Sequence, residues 1–192
     1  SETLEGLSYV RKHPILPGLF LLDAAITTSS FYREILPVIA LGLFAAGASG
    51  TGLLGSANSA GAISGGIALL ALNRVQAKGL IVLWASLAYG LFLLAFGLTS
   101  SLITGMILIA LLGAADSVTV AVRVTTVMLT TPDKMRGRAF SLMYVAAQTS
   151  NNIGTIWVGL WAGVIGASST MVMGGIISIV MTLLVLLLWE PI

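Results

Sequence analysis

Apolar residues in this chain gather into six long runs joined by short connections, at residues 14–40, 50–73, 79–98, 102–131, 139–164 and 167–189. A helix needs about 20 residues to cross about 30 Å of hydrocarbon, and each run reaches that length. None shows the period-two alternation or the short, roughly 10-residue reach of a membrane barrel strand. The pattern predicts an all-α, polytopic membrane protein with six transmembrane helices. Ahead of them, residues 1–13 place Leu4, Leu7 and Val10 on one stripe with Glu2, Glu5, Arg11 and Lys12 around it. That stretch lacks the apolar core of a signal peptide and fits a cytoplasmic interfacial lead-in to the domain at 14–192.

Composition sharpens the class. Of 192 residues, 57% are hydrophobic and 8% charged, with a mean hydropathy of +1.05. A soluble domain carries roughly 25% charged residues, so a soluble monomer is excluded and no separate soluble domain fits. Cysteine is absent and His13 is the lone histidine, which leaves no ligand set for a metal and no thiol nucleophile. No zinc-protease, hydrolase or phosphate-loop motif appears either, so the reading is not an enzyme, with no cofactor and no ATP-driven step. The partners expected are a lipid bilayer and a small-molecule substrate.

The basic residues follow topology and form no nucleic-acid stripe. Arg11 and Lys12 precede the first run, Arg74 and Lys78 lie between the second and third, and Lys134, Arg136 and Arg138 lie between the fourth and fifth. The alternate connections, 41–49, 99–101 and 165–166, hold none. Lys and Arg in short loops stay in the cytoplasm, so both ends are expected inside, in a multi-pass plasma (inner) membrane protein.

Within the runs the charges are Asp23, Arg33, Glu34, Asp116 and Arg123. Each costs about 2.5–3.5 kcal/mol at mid-bilayer on the insertion scale and demands a partner or a wet cavity. Arg33 and Glu34, beside Pro37 late in the first run, read as a pair at the extracellular rim, with a gate contact as the alternative. Asp23 lies about 13 Å from the cytoplasmic start of the first run and Arg123 about 12 Å from the cytoplasmic end of the fourth, so the two can meet. Asp116 and Arg123, seven residues apart, share one helix face. The expectation is an Arg123–Asp23 pair, with Asp116 left facing a cavity.

Gln148, Asn151 and Asn152 on the fifth run and Asn58 on the second add amides at similar depth, suited to recognising a polar organic molecule or to bonding helices together. On this count the first, second, fourth and fifth helices line a cavity, and the apolar third and sixth pack outside. Small residues recur on the second run at Gly52, Ser56, Ala60, Ser64 and Ala68, beside a Gly61/Gly65 pair, and Gly159 and Gly163 repeat that spacing on the fifth. Such surfaces serve close packing or let helices rock.

The segment TPDKMRGR, with Pro132, Arg136, Gly137 and Arg138, is similar to the Pro-x-x-x-Arg-Gly-Arg loop of the major facilitator superfamily. EGLSYVRKHP, LLDAA, REILPVIA and LLGAADSV resemble the carboxyl-terminal half of bacterial exporters in the enterobactin exporter and secretion permease group. In the connection LNRVQAK, Arg74 and Lys78 fit the superfamily's other loop motif, whereas Leu69, Asn73 and Gln76 depart from it. The resemblance implies one six-helix half, the second, of a twelve-helix secondary transporter working by alternating access, its amino-terminal half lying outside this sequence. It implies proton-coupled export of a small organic molecule such as a siderophore, drug or metabolite. Asp116 or Asp23 would then carry the proton, because drying of a closing cavity favours a neutral carboxyl. Arg123 would tune that carboxylate or hold the substrate. A self-contained six-helix homodimeric channel or permease, using a second copy, is the alternative.

Overall fold

The computed structural model describes residues 24–30, 32–71 and 78–188. Residues 24–30 form helix α1, and a 3-10 turn, Arg33–Ile35, leads into α2, Leu36–Gly42. Then come α3, Gly47–Ala71; α4, Lys78–Leu98; α5, Leu102–Thr130; α6, Asp133–Ile165; and α7, Ala167–Leu188. No strand occurs among the described residues. The protein is an all-α polytopic membrane protein.

Among the described residues four helices, α3, α4, α5 and α7, are long and apolar enough to cross a membrane. α6 is the longest of the described helices at 33 residues, about 50 Å. Its amides and hydroxyls between Gln148 and Thr155 keep it less apolar than those four. Its first turn also absorbs most of the segment expected to be the fourth connection. Asp133 opens the helix directly after Pro132, whose φ of −56° suits a helix start, and Arg136 turns back to Asp133 at 2.6 Å.

The first run is interrupted near Arg33. Pro37 has no N–H to give the Arg33 carbonyl, so the chain tightens upstream, with Ile35 N–H bonding the Tyr32 carbonyl and Leu36 N–H the Arg33 carbonyl. α2 then continues to Gly42, beyond the expected end at Ala40. The connection into α3 puts Ala45 in the left-handed region at φ +51°. A Cβ there costs about 1 kcal/mol, so Ala45→Gly is expected to raise stability by about 0.5–1 kcal/mol, read as a later unfolding midpoint on titrating the micellar protein with SDS.

Packing is uneven. α3 lies on α5, and α4 lies on both α5 and α7, whereas α6 is held sparsely. A main core of Ile39, Leu54, Leu93, Phe96, Ile109, Leu112 and Met171 sits around the α2–α3 connection. A small cluster of Val127, Ala139 and Met143 ties the far ends of α5 and α6. Polar side chains collect between these cores.

Candidate functional site

Four segments and the 3-10 turn enclose a cavity of about 150 Å³. Thr27 of α1, Tyr32 and Arg33 of the turn, Ser86 and Tyr89 of α4, Asp116, Thr119 and Arg123 of α5, and Asn151 of α6 bring its polar groups. Arg33 Nη2 donates to Asp116 Oδ2 at 2.8 Å, and both side chains remain partly exposed, at 48% and 39%. Neither side chain of the pair is sealed within the described bundle.

The turn that carries Arg33 is tied on three sides by neutral groups. Tyr32, almost fully buried, exchanges hydrogen bonds with the Asn58 amide of α3 at 3.2 Å. Tyr89 of α4 donates to the Ser30 carbonyl at 3.1 Å, and its ring lies 6.5 Å from that of Tyr32. The Ser30 hydroxyl meets that of Ser178 on α7 at 2.5 Å. These neutral ties fix the turn while the ion pair joins it to α5.

Several expectations change here. Asp116 is not left without a partner, because Arg33 reaches it. Arg33 is not paired with Glu34 at the rim either; Glu34 is exposed beside it on the turn. The reason is depth: with α2 running on to Gly42, Arg33 lies nine residues, about 13 Å, inside the end of that helix. The described residues of the second helix do not line the cavity. Its Asn58 is buried behind Tyr32, acting through that side chain. The third helix does line it, through Ser86 and Tyr89, and the sixth contributes buried Thr170, Ser178 and Thr182, so neither is a purely apolar outer helix. Of the amides on α6, Asn151 lines the cavity and bonds Gln148 Oε1 at 3.2 Å, whereas Gln148 and Asn152 are exposed.

Arg123 lies in the cavity wall with 8% of its surface exposed, on the same face of α5 as Asp116. Asp23 and Arg74 lie outside the described residues, as does the side chain of Lys78. Lys134, Gly137 and Pro132 are exposed at the start of α6, and Arg138 approaches the Met135 sulfur at 3.8 Å. No group of three or more potential metal ligands occurs among the described residues.

Ser86, Tyr89, Tyr32, Ser30 and Ser178 were not expected in the site. A signal for the first two was present. They are the hydroxyls of an otherwise apolar run and stand three residues apart, hence on one face.

The transmembrane secretion effector family matches residues 5–191. The enterobactin exporter EntS of Citrobacter koseri is 29% identical over 188 residues, 97% of this chain and 45% of that protein. EntS of Escherichia coli O1:K1 is 29% identical over 156 residues, 81% of this chain and 37% of that protein. The chain thus spans less than half the length of these curated relatives. No solved structure matches it.

Proposed function

The chain belongs to the transmembrane secretion effector family of the major facilitator superfamily, and on that premise we propose that it forms the second six-helix half of a secondary active exporter. In this reading residues 14–192 are the half-bundle, residues 1–13 its cytoplasmic lead-in, and both ends face the cytoplasm of a bacterial inner membrane. The cargo is a small organic molecule moved by alternating access, and export is driven by protons returning inward. The observation that carries the proposal is the partly exposed Arg33–Asp116 pair in the wall of a cavity within a membrane bundle.

Asp116 is the proton carrier. Ionised, it holds Arg33 and the 3-10 turn against α5; protonated, it has lost the charge that made the bond strong, and the turn is released. Asp23 is the second candidate carrier. Arg123, Asn151 and Asn58 serve substrate recognition or its support, and Gln148 and Asn152, exposed on α6, face the remainder of the transport path. Arg136, Gly137 and Arg138 with Pro132, and Arg74 with Lys78, form the cytoplasmic loop contacts. The exposed row Gly52, Ser56, Ala60, Ser64 and Ala68 on α3 supports a further helix packing there, from an amino-terminal six-helix half or from a second copy.

The test uses everted membrane vesicles containing the full-length polypeptide that carries this chain, with enterobactin, the molecule named for its relatives, as first substrate. An acidic lumen is expected to drive uptake, and a protonophore to abolish it. Uptake indifferent to the proton gradient defeats the coupling. Single-channel currents with flux far above carrier turnover defeat the carrier itself in favour of a channel.

A further inference from the structure

Asn58 of α3 is buried and does not line the cavity, yet it touches the elements that carry both members of the ion pair. Its amide exchanges hydrogen bonds with the Tyr32 hydroxyl, at 3.2 Å each way, and Tyr32 is the residue before Arg33. On the other side Asn58 meets α5. A Cβ at Gly113 would strike its backbone carbonyl and lie 3.1 Å from its side-chain Oδ1. Gly113 precedes Asp116 by three residues, just under one helical turn.

What a hydrogen bond adds to packing is direction. An aliphatic side chain at position 58 would hold Tyr32 by contact area alone, which leaves the turn free to pivot about the contact. The amide instead accepts from the phenol at one atom and donates to it from another, along restricted lines. Of the three neutral ties at this turn, two end on Ser30, ahead of it: Tyr89 on the carbonyl and Ser178 on the hydroxyl. The tie to Asn58 is the one that reaches the residue next to Arg33.

We propose that Asn58 is the positioning residue of the Arg33–Asp116 pair, setting the separation at which guanidinium and carboxylate meet while bonding to neither. The proposal rests on the exporter reading above and narrows the part of Asn58 in it, from substrate recognition to proton coupling. Arg33 Nη2 and Asp116 Oδ2 are 2.8 Å apart, so a drift of the turn by about 1 Å would break their bond.

The experiment labels the arginines of the purified full-length polypeptide with phenylglyoxal, with no gradient imposed, and maps the adducts by mass spectrometry. Asp116→Ala sets the rate for an unpaired Arg33. Asn58→Leu is expected to raise Arg33 labelling about threefold, close to that rate, on the scale of a partly exposed ion pair. It should also lower Tm by about 2 °C or more, because the Tyr32 hydroxyl is left buried without its partner. Adding Tyr32→Phe removes that hydroxyl, so Tm is expected to recover while Arg33 labelling stays high. Met143→Ala, in the separate cluster with Val127 and Ala139, should lower Tm and leave Arg33 labelling unchanged. In everted vesicles Asn58→Leu is expected to keep counterflow and lose at least half of the gradient-driven substrate ratio. The positioning role is overturned by equal Arg33 labelling in Asp116→Ala and the parent, by parent-like labelling in Asn58→Leu, by labelling that falls back as Tm recovers in the double variant, or by an equal rise in Met143→Ala. An undiminished gradient-driven ratio in Asn58→Leu overturns its part in coupling. Raised Arg33 labelling in Asn58→Leu, when the parent shows no proton-driven uptake, supports the positioning role and defeats the exporter reading alone.

Discussion

Asp116→Asn is expected to leave the protein in the membrane and able to exchange substrate downhill, but unable to drive it uphill. With one proton exchanged per substrate, a gradient of one pH unit supplies about 1.36 kcal/mol and sustains about a tenfold substrate ratio. The amide keeps the shape of the carboxyl and can still accept one hydrogen bond from Arg33, yet it carries no titrating proton. Its substrate ratio is expected to fall to about one at any imposed gradient, by the linkage that a ligand drives an equilibrium only through its differential affinity for the two states. Everted vesicles read this as loss of gradient-driven accumulation alongside retained counterflow. Retention of the gradient-driven ratio would remove Asp116 from the mechanism and transfer the role to Asp23. Loss of counterflow as well would mean that the pair Arg33–Asp116 holds the bundle together and does not switch.

How much of this arrangement was legible in the sequence differs from residue to residue. The apolar runs around α3, α4, α5 and α7 were plain because the bilayer imposes a length and a composition that few other environments require. Asp116 and Arg123 could be set on one inward face because a seven-residue spacing is two turns of any helix. The partner of Asp116 could not. Finding it required knowing that Pro37 tightens the chain into a 3-10 turn and that α2 runs on to Gly42, which carries Arg33 deeper than a straight helix ending at Ala40 would. Ser86 and Tyr89 were lost for another reason. Averaging over a run weighs its apolar bulk, whereas the cavity reads two side chains on one face. Asn58 was placed at the right depth but in the wrong layer, since its burial behind Tyr32 depends on how α3 rotates against α5.

That rotation is set by glycines, and Gly61→Val is expected to be the most damaging single change to the bundle. A Cβ at Gly61 would run into the backbone of Ala110 on α5, and one at Gly65 would lie 2.7 Å from the Cα of Ala114. Across the same seam, a Cβ at Gly113 would strike the Asn58 carbonyl. Overpacking a core typically costs about 1–3 kcal/mol when side chains can yield. Here the obstacle is main chain, so the helices themselves must part, and a cost of about 3 kcal/mol or more is expected. Parting them also draws Asn58 away from Tyr32 and loosens the turn that presents Arg33 to Asp116, so whatever protein survives should have lost gradient-driven transport too. The comparison variant is Gly159→Val on α6. It has the same glycine spacing, with Gly163 four residues on, but no atom of another segment lies within 4 Å of a Cβ built at either position. In this chain it should shift stability by no more than about 0.5 kcal/mol. Membrane abundance and the SDS unfolding midpoint decide between them. Equal midpoints for Gly61→Val and the parent chain would show that α3 and α5 do not pack backbone to backbone. Damage from Gly159→Val confined to the full-length polypeptide would show that another segment occupies the open face of α6.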